Sequence, residues 1–307
     1  ILGKRIGSGG YGDVYTCRRI GDKSGQLYAV KQMHPRKEAG MLSVTSIASR
    51  REVKLLRELS AHPNIIKLVD VFLSWEPTSM HLVFELANFD LDKLIRAGTE
   101  LSEDEIRSFM FQLLAGTDYL HSNWVIHRDL KPQNILVRGD VGTRSLIIAD
   151  FGLARIFQQP VKALSDVERV VVTLWYRAPE LLLGSRSYTK AVDVWALGCI
   201  FGELLCRQQL FAGVEDTAKG APFQESQCRT IFNVLGLPDR HTWADLDKLP
   251  EYAHIKLWRS GFPRKSLLRD HATQLMKGRK LPKDAFDLME SMLQMDPSKR
   301  ISAGDAL

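Results

Sequence analysis

Along this chain of 307 residues the spacing of apolar residues changes character once, near Asn88, and that change limits the folds open to it. Before it, Leu2–Ile6, Asp13–Arg19, Leu27–Met33, Ile65–Phe72 and His81–Leu86 are short β-branched or alternating runs separated by Gly, Asp or Pro. Runs of this kind form strands, because successive side chains leave a pleated backbone on opposite faces. One helix interrupts them, Thr45–Leu59. The following His62-Pro63-Asn64 cannot prolong it, since proline has no N–H to donate and its ring clashes with the preceding turn. After Asn88 the apolar positions recur every three or four residues. Ser102 and Glu105 have the spacing of a capping box, and Ile106, Phe109, Met110, Leu113, Leu114 and Leu120 follow as one apolar stripe. Tyr188–Cys206 is apolar on nearly every side and is expected at the centre of the second half. The pattern predicts an α+β protein, with a small antiparallel sheet and one key helix over residues 1–87 and a larger helical part over 88–307. No internal repeat breaks this order, and the loosest stretch is residues 213–227.

Composition narrows the class of function. With 45% hydrophobic and 25% charged residues, the chain has the make-up of a soluble globular enzyme. It opens on Ile1 and stops at Leu307 inside a helical pattern, so flanking segments are expected and targeting signals cannot be judged. The most apolar stretch, Ala191–Leu205, is interrupted by Asp193 and Glu203 and is shorter than the roughly 20 residues a bilayer requires. No membrane partner is expected. Cys17, Cys199, Cys206 and Cys228 have neither zinc-site spacing nor the density of a disulfide scaffold, which points to a reducing compartment. The net charge of +6 comes from scattered Lys and Arg without interleaved aromatics, so direct nucleic-acid binding is not expected.

Three motifs occur in a fixed order. "GSGGYG" spaces Gly7, Gly9 and Gly12 as G-x-G-x-x-G, where missing side chains let backbone N–H groups approach a polyphosphate. Alone this is weak, and a dinucleotide-binding turn would be followed by a helix. Here a strand follows, which favours a hairpin covering a nucleotide. In "YAVKQM", Ala29 and Lys31 share one strand face, and a lysine there can hold phosphates as a point charge. "HRDLKPQN" at His127–Asn134 and "DFG" at Asp150–Gly152 then follow, and the conjunction is highly specific.

From Gly7 to Arg300 the chain resembles the eukaryotic protein kinases, which implies a bilobal fold and ATP with Mg²⁺ as cofactors. By that resemblance Lys31 clamps the α- and β-phosphates and is held by an ion pair with Glu52. Asn134 and Asp150 coordinate the metal, Asp129 receives or orients the proton of the substrate hydroxyl, and Lys131 neutralises the γ-phosphate. The ATP-binding set comprises Gly7, Ser8, Gly9, Gly10, Tyr11, Gly12, Val14, Ala29 and Lys31, with Phe84, Glu85 and Ala87 around adenine and Asp90 at the ribose. The activation segment spans residues 150–180 and ends in "APE", whose Glu180 is expected to pair with Arg300. Asp193 and Trp195 anchor the catalytic loop. Phe151 makes an ordinary DFG switch, and Tyr11 matches a tyrosine whose phosphorylation is inhibitory in several relatives.

"TLWYRAPE" at Thr173–Glu180 is similar to the group of cyclin-dependent and mitogen-activated kinases. There Val171, Val172 and Arg177 would shape a pocket for proline after the acceptor. Mitogen-activated kinases carry a Thr-x-Tyr in the loop, and Leu153–Val172 has neither residue. Cyclin-dependent kinases gather three arginines around a phosphothreonine. The arginines are present as Arg51, Arg128 and Arg155, while the phosphothreonine position is Glu168. A carboxylate there supplies a permanent though weaker anion. The pieces "SIASRRE", "VFLS", "NWVIHRDLKPQNILV", "VVVTLWYRAPE", "CIFGELL" and "IFNVLGLP" resemble the Mediator-type branch of the cyclin-dependent kinases, which pairs with C-type cyclins. That resemblance implies a cyclin partner, Mediator kinase-module proteins, transcription-related protein substrates and a nuclear location. A cell-cycle or elongation kinase, a catalytically weak scaffold and a small-molecule kinase are the alternatives. The complete catalytic set speaks against a scaffold, and the peptide-docking "APE" segment against a small-molecule kinase.

Overall fold

Strand propensity in the first third of the chain produces a single twisted sheet. In a computed structural model, described for residues 1–9, 12–33, 36–38, 41–43, 47–75, 78–156, 174–215, 223–258 and 261–307, the chain is mixed α+β. Strands β1 (Leu2–Gly9), β2 (Gly12–Cys17), β3 (Tyr28–Met33), β6 (Leu68–Trp75) and β7 (Thr78–Glu85) form a five-stranded antiparallel sheet in the order β1-β2-β3-β7-β6. A short hairpin of β4 (Arg36–Glu38) and β5 (Met41–Ser43) precedes helix α1 (Ile47–Leu59).

The described contacts gather residues 1–91 and 134–154 into one compact unit and residues 92–133 and 155–307 into another. In the first unit β8 (Phe89–Asp90), β10 (Ile135–Arg138) and β11 (Ser145–Ile148) make a separate antiparallel ribbon. Helix α1 buries Glu52, Leu55, Leu56 and Leu59 and packs on the 3-10 turn Phe151–Leu153, whose Phe151 is fully buried. Each such apolar side chain contributes roughly 1.5–3 kcal/mol on burial.

The start of β6 differs from the expectation. The run expected from Ile65 enters the main sheet only at Leu68, because residues 64–66 are claimed by β11. Ile66 donates to Ile148 O at 2.9 Å, Ile148 donates back to Asn64 O at 2.8 Å, and the Asn64 amide donates to Leu146 O at 2.8 Å. The strand proper therefore starts at Leu68. The ribbon itself was not foreseen, since four-residue strands are too short to show a period.

The second unit holds α2 (Leu91–Arg96), α3 (Glu103–Ser122), β9 (Val125–Ile126), β12 (Arg155–Ile156), α4 (Pro179–Leu182), α5 (Ala191–Cys206), α6 (Glu225–Leu235), α7 (Tyr252–Lys256), α8 (Leu268–Leu275) and α9 (Lys283–Met292). Ser102 caps α3 by accepting the Glu105 N–H at 3.2 Å, and the expected stripe from Ile106 to Leu120 is buried. Every residue of α5 from Val192 to Cys206 is buried, so it is the core of this unit, beginning three residues later than Tyr188. Burial pushes the thiols of Cys206 and Cys228 up to about 12, so both pack as inert apolar groups. No helix among the described residues is long and apolar enough to cross a membrane.

Candidate active site

The glycine segment closes the β1–β2 hairpin, with Gly7 opposite Val14 and Gly9 opposite Gly12. Glycine is required at position 12, where a Cβ would fall 2.2 Å from the Gln32 carbonyl oxygen. Gly10 and Tyr11 lie outside the described residues. Register carries the pattern across the sheet, since Val14 pairs with Lys31 and Lys31 with Leu82, while Ala29 pairs with Phe84. Paired residues of an antiparallel sheet share a face, so Val14, Ala29, Lys31 and Phe84 line one surface. Beyond β7, Ala87 is in the connecting segment, Glu85 pairs with Arg138 at 2.8 Å, and Asp90 is held in β8 opposite Leu136.

On that surface Lys31 Nζ lies 2.9 Å from Glu52 Oε1 and 3.0 Å from Asp150 Oδ1. Burial works against the ammonium, but the two carboxylates outweigh it and hold its pKa above the ordinary lysine range. Asp150 sits at φ 62°, a left-handed backbone that a non-glycine residue adopts only when its surroundings impose it. The β10–β11 register, with Ala149 N–H donating to Asn134 O at 2.9 Å, brings Asn134 and Asp150 to the same end of the ribbon. Among the described residues no three His, Cys, Asp or Glu side chains gather into a metal site. An amide oxygen and a carboxylate at one ribbon end are a hard donor pair, which fits a divalent ion that takes its other ligands from phosphate and water.

The second unit carries a second group. Asp129 is buried, and Lys131 Nζ binds both its carboxylate oxygens, at 3.2 and 3.0 Å. The loop before it hangs on Asp193 of α5, whose Oδ2 accepts the N–H of His127 at 2.8 Å and the ring of His121 at 3.0 Å. Its Oδ1 accepts the N–H of Arg128 at 2.8 Å, which fixes Arg128 at φ 70°. The guanidinium of Arg128 donates to Tyr188 Oη at 3.2 Å. Arg177 follows the 3-10 turn Leu174–Tyr176. Burial pushes its pKa down to about 10, against the attraction of Asp129 and Glu215.

Burial opposes the charge of Asp193, yet the His121 hydrogen bond and the other donors hold its pKa below the ordinary carboxylate range. A carboxyl depressed in this way contributes stability that is present above the unfolded value near 3.9 and is lost as pH falls through the folded value. Asp193→Asn is therefore expected to lose about 1.5–3 kcal/mol at neutral pH in urea unfolding. Below about pH 4 the gap between variant and native protein should close; a gap constant down to pH 2 would contradict it.

Glu168, Val171 and Val172 lie outside the described residues, as do the side chains of Arg51 in α1 and Arg155 in β12. The residues that sequence reasoning missed are His121, Tyr188 and the buried group around Glu203. Tyr176 Oη donates to Glu203 Oε2 at 2.6 Å and Gln209 to Oε1 at 2.7 Å. A signal existed for the last, since an acid inside an apolar helix needs a buried partner.

The chain is similar to known proteins along its whole length. The protein kinase domain family matches residues 1–307. Cyclin-dependent kinase E-1 of Arabidopsis thaliana is 45% identical over 313 aligned residues, covering 100% of this chain and 64% of that relative. Cyclin-dependent kinase 8 of Drosophila melanogaster is 42% identical over 318 residues, covering 99% of the chain and 68% of the relative. The probable cyclin-dependent kinase 8 of Dictyostelium discoideum is 46% identical over 314 residues, covering 98% and 77%. The chain thus spans from 64% to 77% of the length of these curated relatives. It belongs to the protein kinase domain family, and within it to the cyclin-dependent kinases that these relatives represent.

Proposed function

We propose that the chain transfers the γ-phosphate of ATP to serine or threonine hydroxyls of protein substrates, and that it does so with a cyclin. The observation that carries this reading is Lys31 bridging Glu52 and Asp150. One ammonium placed by two carboxylates on a face lined by Val14, Ala29 and Phe84 is suited to hold a nucleotide's phosphates beside a purine. Asn134 and Asp150 would hold Mg²⁺, which when bound neutralises charge on the phosphate oxygens.

The remaining steps belong to side chains of the second unit. The acceptor O–H gives its proton toward Asp129 while its oxygen bonds the γ-phosphorus, and ADP leaves with the electron pair of the broken P–O bond. Lys131, already on Asp129, is the cation available to the transferred phosphoryl group. Arg177, with Val171 and Val172, would accept proline after the phosphorylated residue.

The Lys31–Glu52 pair is made in the chain by itself, so a cyclin would act by keeping α1 in this position. We read the cyclin as C-type, the setting as the Mediator kinase module, the substrates as transcription-related proteins and the location as nuclear. All four rest on the resemblance of the sequence. Glu168 would serve the Arg51, Arg128 and Arg155 cluster as a permanent anion. Unphosphorylated protein, assayed with a C-type cyclin on a Ser-Pro peptide, should therefore be active, and Glu168→Gln should reduce its rate about tenfold or more, the equivalent of one charge-assisted hydrogen bond. Equal rates in both proteins would remove the role of Glu168. No transfer in either would overturn the enzymatic reading.

A further inference from the structure

Strand β7 ends at Glu85 and β8 begins at Phe89, so residues 86–88 cross between them without an element of their own. A span that short cannot fix its course by helical or ladder hydrogen bonds, and neighbours must do it. The neighbour is β10. At the near end of the span Arg138 Nη1 meets Glu85 Oε2 at 2.8 Å. At the far end Asn88 is held twice, since its N–H donates to Val137 O at 3.0 Å and its Oδ1 accepts the N–H of Gly139 at 3.1 Å. The ladder then continues, with Phe89 opposite Val137 and Asp90 opposite Leu136. Gly139 serves Asn88 through its backbone, which turns out of β10 at φ 90°, where a Cβ would lie 2.9 Å from Thr143 O.

The same strand carries the other end of the site. Asn134 directly precedes β10, and Asp150 follows β11 by two residues. Arg138 stands four residues beyond Asn134, about 13 Å away at the rise of a strand. Between them the ribbon is stiff. Its register runs without a break from Ile135 opposite Ile148 to Arg138 opposite Ser145, and Ile135, Val137, Leu146 and Ile148 are fully buried. A slip of one residue would turn those four side chains to the other face, so the register is strongly held. All of these residues belong to the first unit.

We propose that Arg138 and Asn88 are positioning residues, which fix the main chain of Leu86 and Ala87 for the base of a nucleotide against the ribbon that carries Asn134 and Asp150. The proposal rests on the reading of Glu85 and Ala87 as adenine-side residues and adds what sets their place. One element then spaces the base end of the site from its phosphate end. Both residues act through the backbone of the span, so their loss should weaken every ligand that contains adenine, whether or not it has phosphates or Mg²⁺.

The test measures adenosine and ADP binding to the full chain by calorimetry, for the native protein and for Arg138→Leu and Asn88→Ala. In Arg138→Leu both Kd values should rise about threefold, as for a partly exposed ion pair. In Asn88→Ala they should rise about fivefold, the loss of one neutral hydrogen bond. Exchanging the pair, Glu85→Arg with Arg138→Glu, should bring both values back toward native, and so should Asn88→Asp, which keeps an oxygen for the Gly139 N–H. With a cyclin and a Ser-Pro peptide, the KM for ATP should rise by the same factors while kcat and the peptide KM stay near native, a split that general destabilisation would not give. A second readout needs no nucleotide: hydrogen exchange at the Asn88 amide should speed up in both single variants. Native Kd values in both variants, or a rise confined to ADP, would overturn the proposal and leave the enzymatic reading standing. A native protein that binds neither adenosine nor ADP would overturn that reading and the proposal together.

Discussion

Lys31→Met is expected to lower phosphate transfer by about a hundred- to a thousandfold, the usual effect of removing one preorganised charge from a reaction centre. The structure gives the reason for so large an effect. The Lys31 ammonium is the point at which α1, through Glu52, and the segment after β11, through Asp150, meet β3. Methionine fills the volume but leaves a 2% exposed glutamate facing a partly exposed aspartate with no cation between them. Breaking a buried pair from one side costs about 3–5 kcal/mol, and because Asp150 is near one-third exposed the lower end applies. Urea unfolding should show that loss. Lys31→Met combined with Glu52→Gln should regain most of the stability and none of the transfer. Such a split would separate the fold's need for the pair from the reaction's need for the cation. The pKa of Lys31 is raised, so its contribution is complete below the unfolded value and is lost only as pH rises through the folded one. Between pH 6 and 9, on an unfolded value near 10.4, the variant should stay below the native protein by a constant amount. Substantial transfer by Lys31→Met would remove the observation on which the proposed function stands.

The same residues show how far the sequence could be read. Local signals were sufficient where one element decides its own form: Ser102 with Glu105 at the start of α3, the period of two that put Ala29 and Lys31 on one face, and the glycines of a two-stranded turn. The site was legible for a different reason. The order of "HRDLKPQN" and "DFG" along the chain is a mark of the protein kinases, and the resemblance to that family assigned the roles of their charges. What stayed hidden depends on partners distant in sequence. Ile65 has the composition of a strand residue, but its neighbours are claimed by Ile148, 83 residues on in the numbering, so the main sheet lost it. The ribbon at 135–148 is too short to have a period. Tyr176 and Glu203 each look ordinary until they are seen 2.6 Å apart. Gly213 and Val214, at the start of the stretch expected to be the loosest, are held by Trp175, Gln227 and Ser226, partners that loop composition does not show.

Glu180→Ala should produce the largest loss of stability among the second unit's polar residues, about 3–5 kcal/mol in urea unfolding. Arg300 Nη1 and Nη2 meet the two carboxylate oxygens of Glu180 at 2.8 and 3.0 Å, a paired geometry that adds specificity to the charge. The two side chains are 0% and 3% exposed. Arg300 also donates to Ala191 O at 2.7 Å and to Gln294 O at 3.0 Å, and lies 5.1 Å over the Trp195 ring. Alanine at 180 removes the only formal counter-charge in that set, while the carbonyls still hold the guanidinium in place. Arginine cannot escape by losing its proton, so the full penalty of an uncompensated buried cation is incurred. Glu180→Gln keeps one acceptor and should cost less. Pairing Glu180→Ala with Arg300→Leu should recover part of the loss, because a buried ion pair often contributes little over an apolar pair of similar volume. The consequence for function is separable. The pair joins the end of the activation segment to a position 120 residues away within the same unit. Transfer per folded molecule should therefore stay near native at temperatures where the variant is folded, with the defect confined to the unfolding midpoint. A midpoint unchanged from the native protein would mean that the carbonyl bonds alone hold Arg300, and that Glu180 contributes little to the stability of this unit.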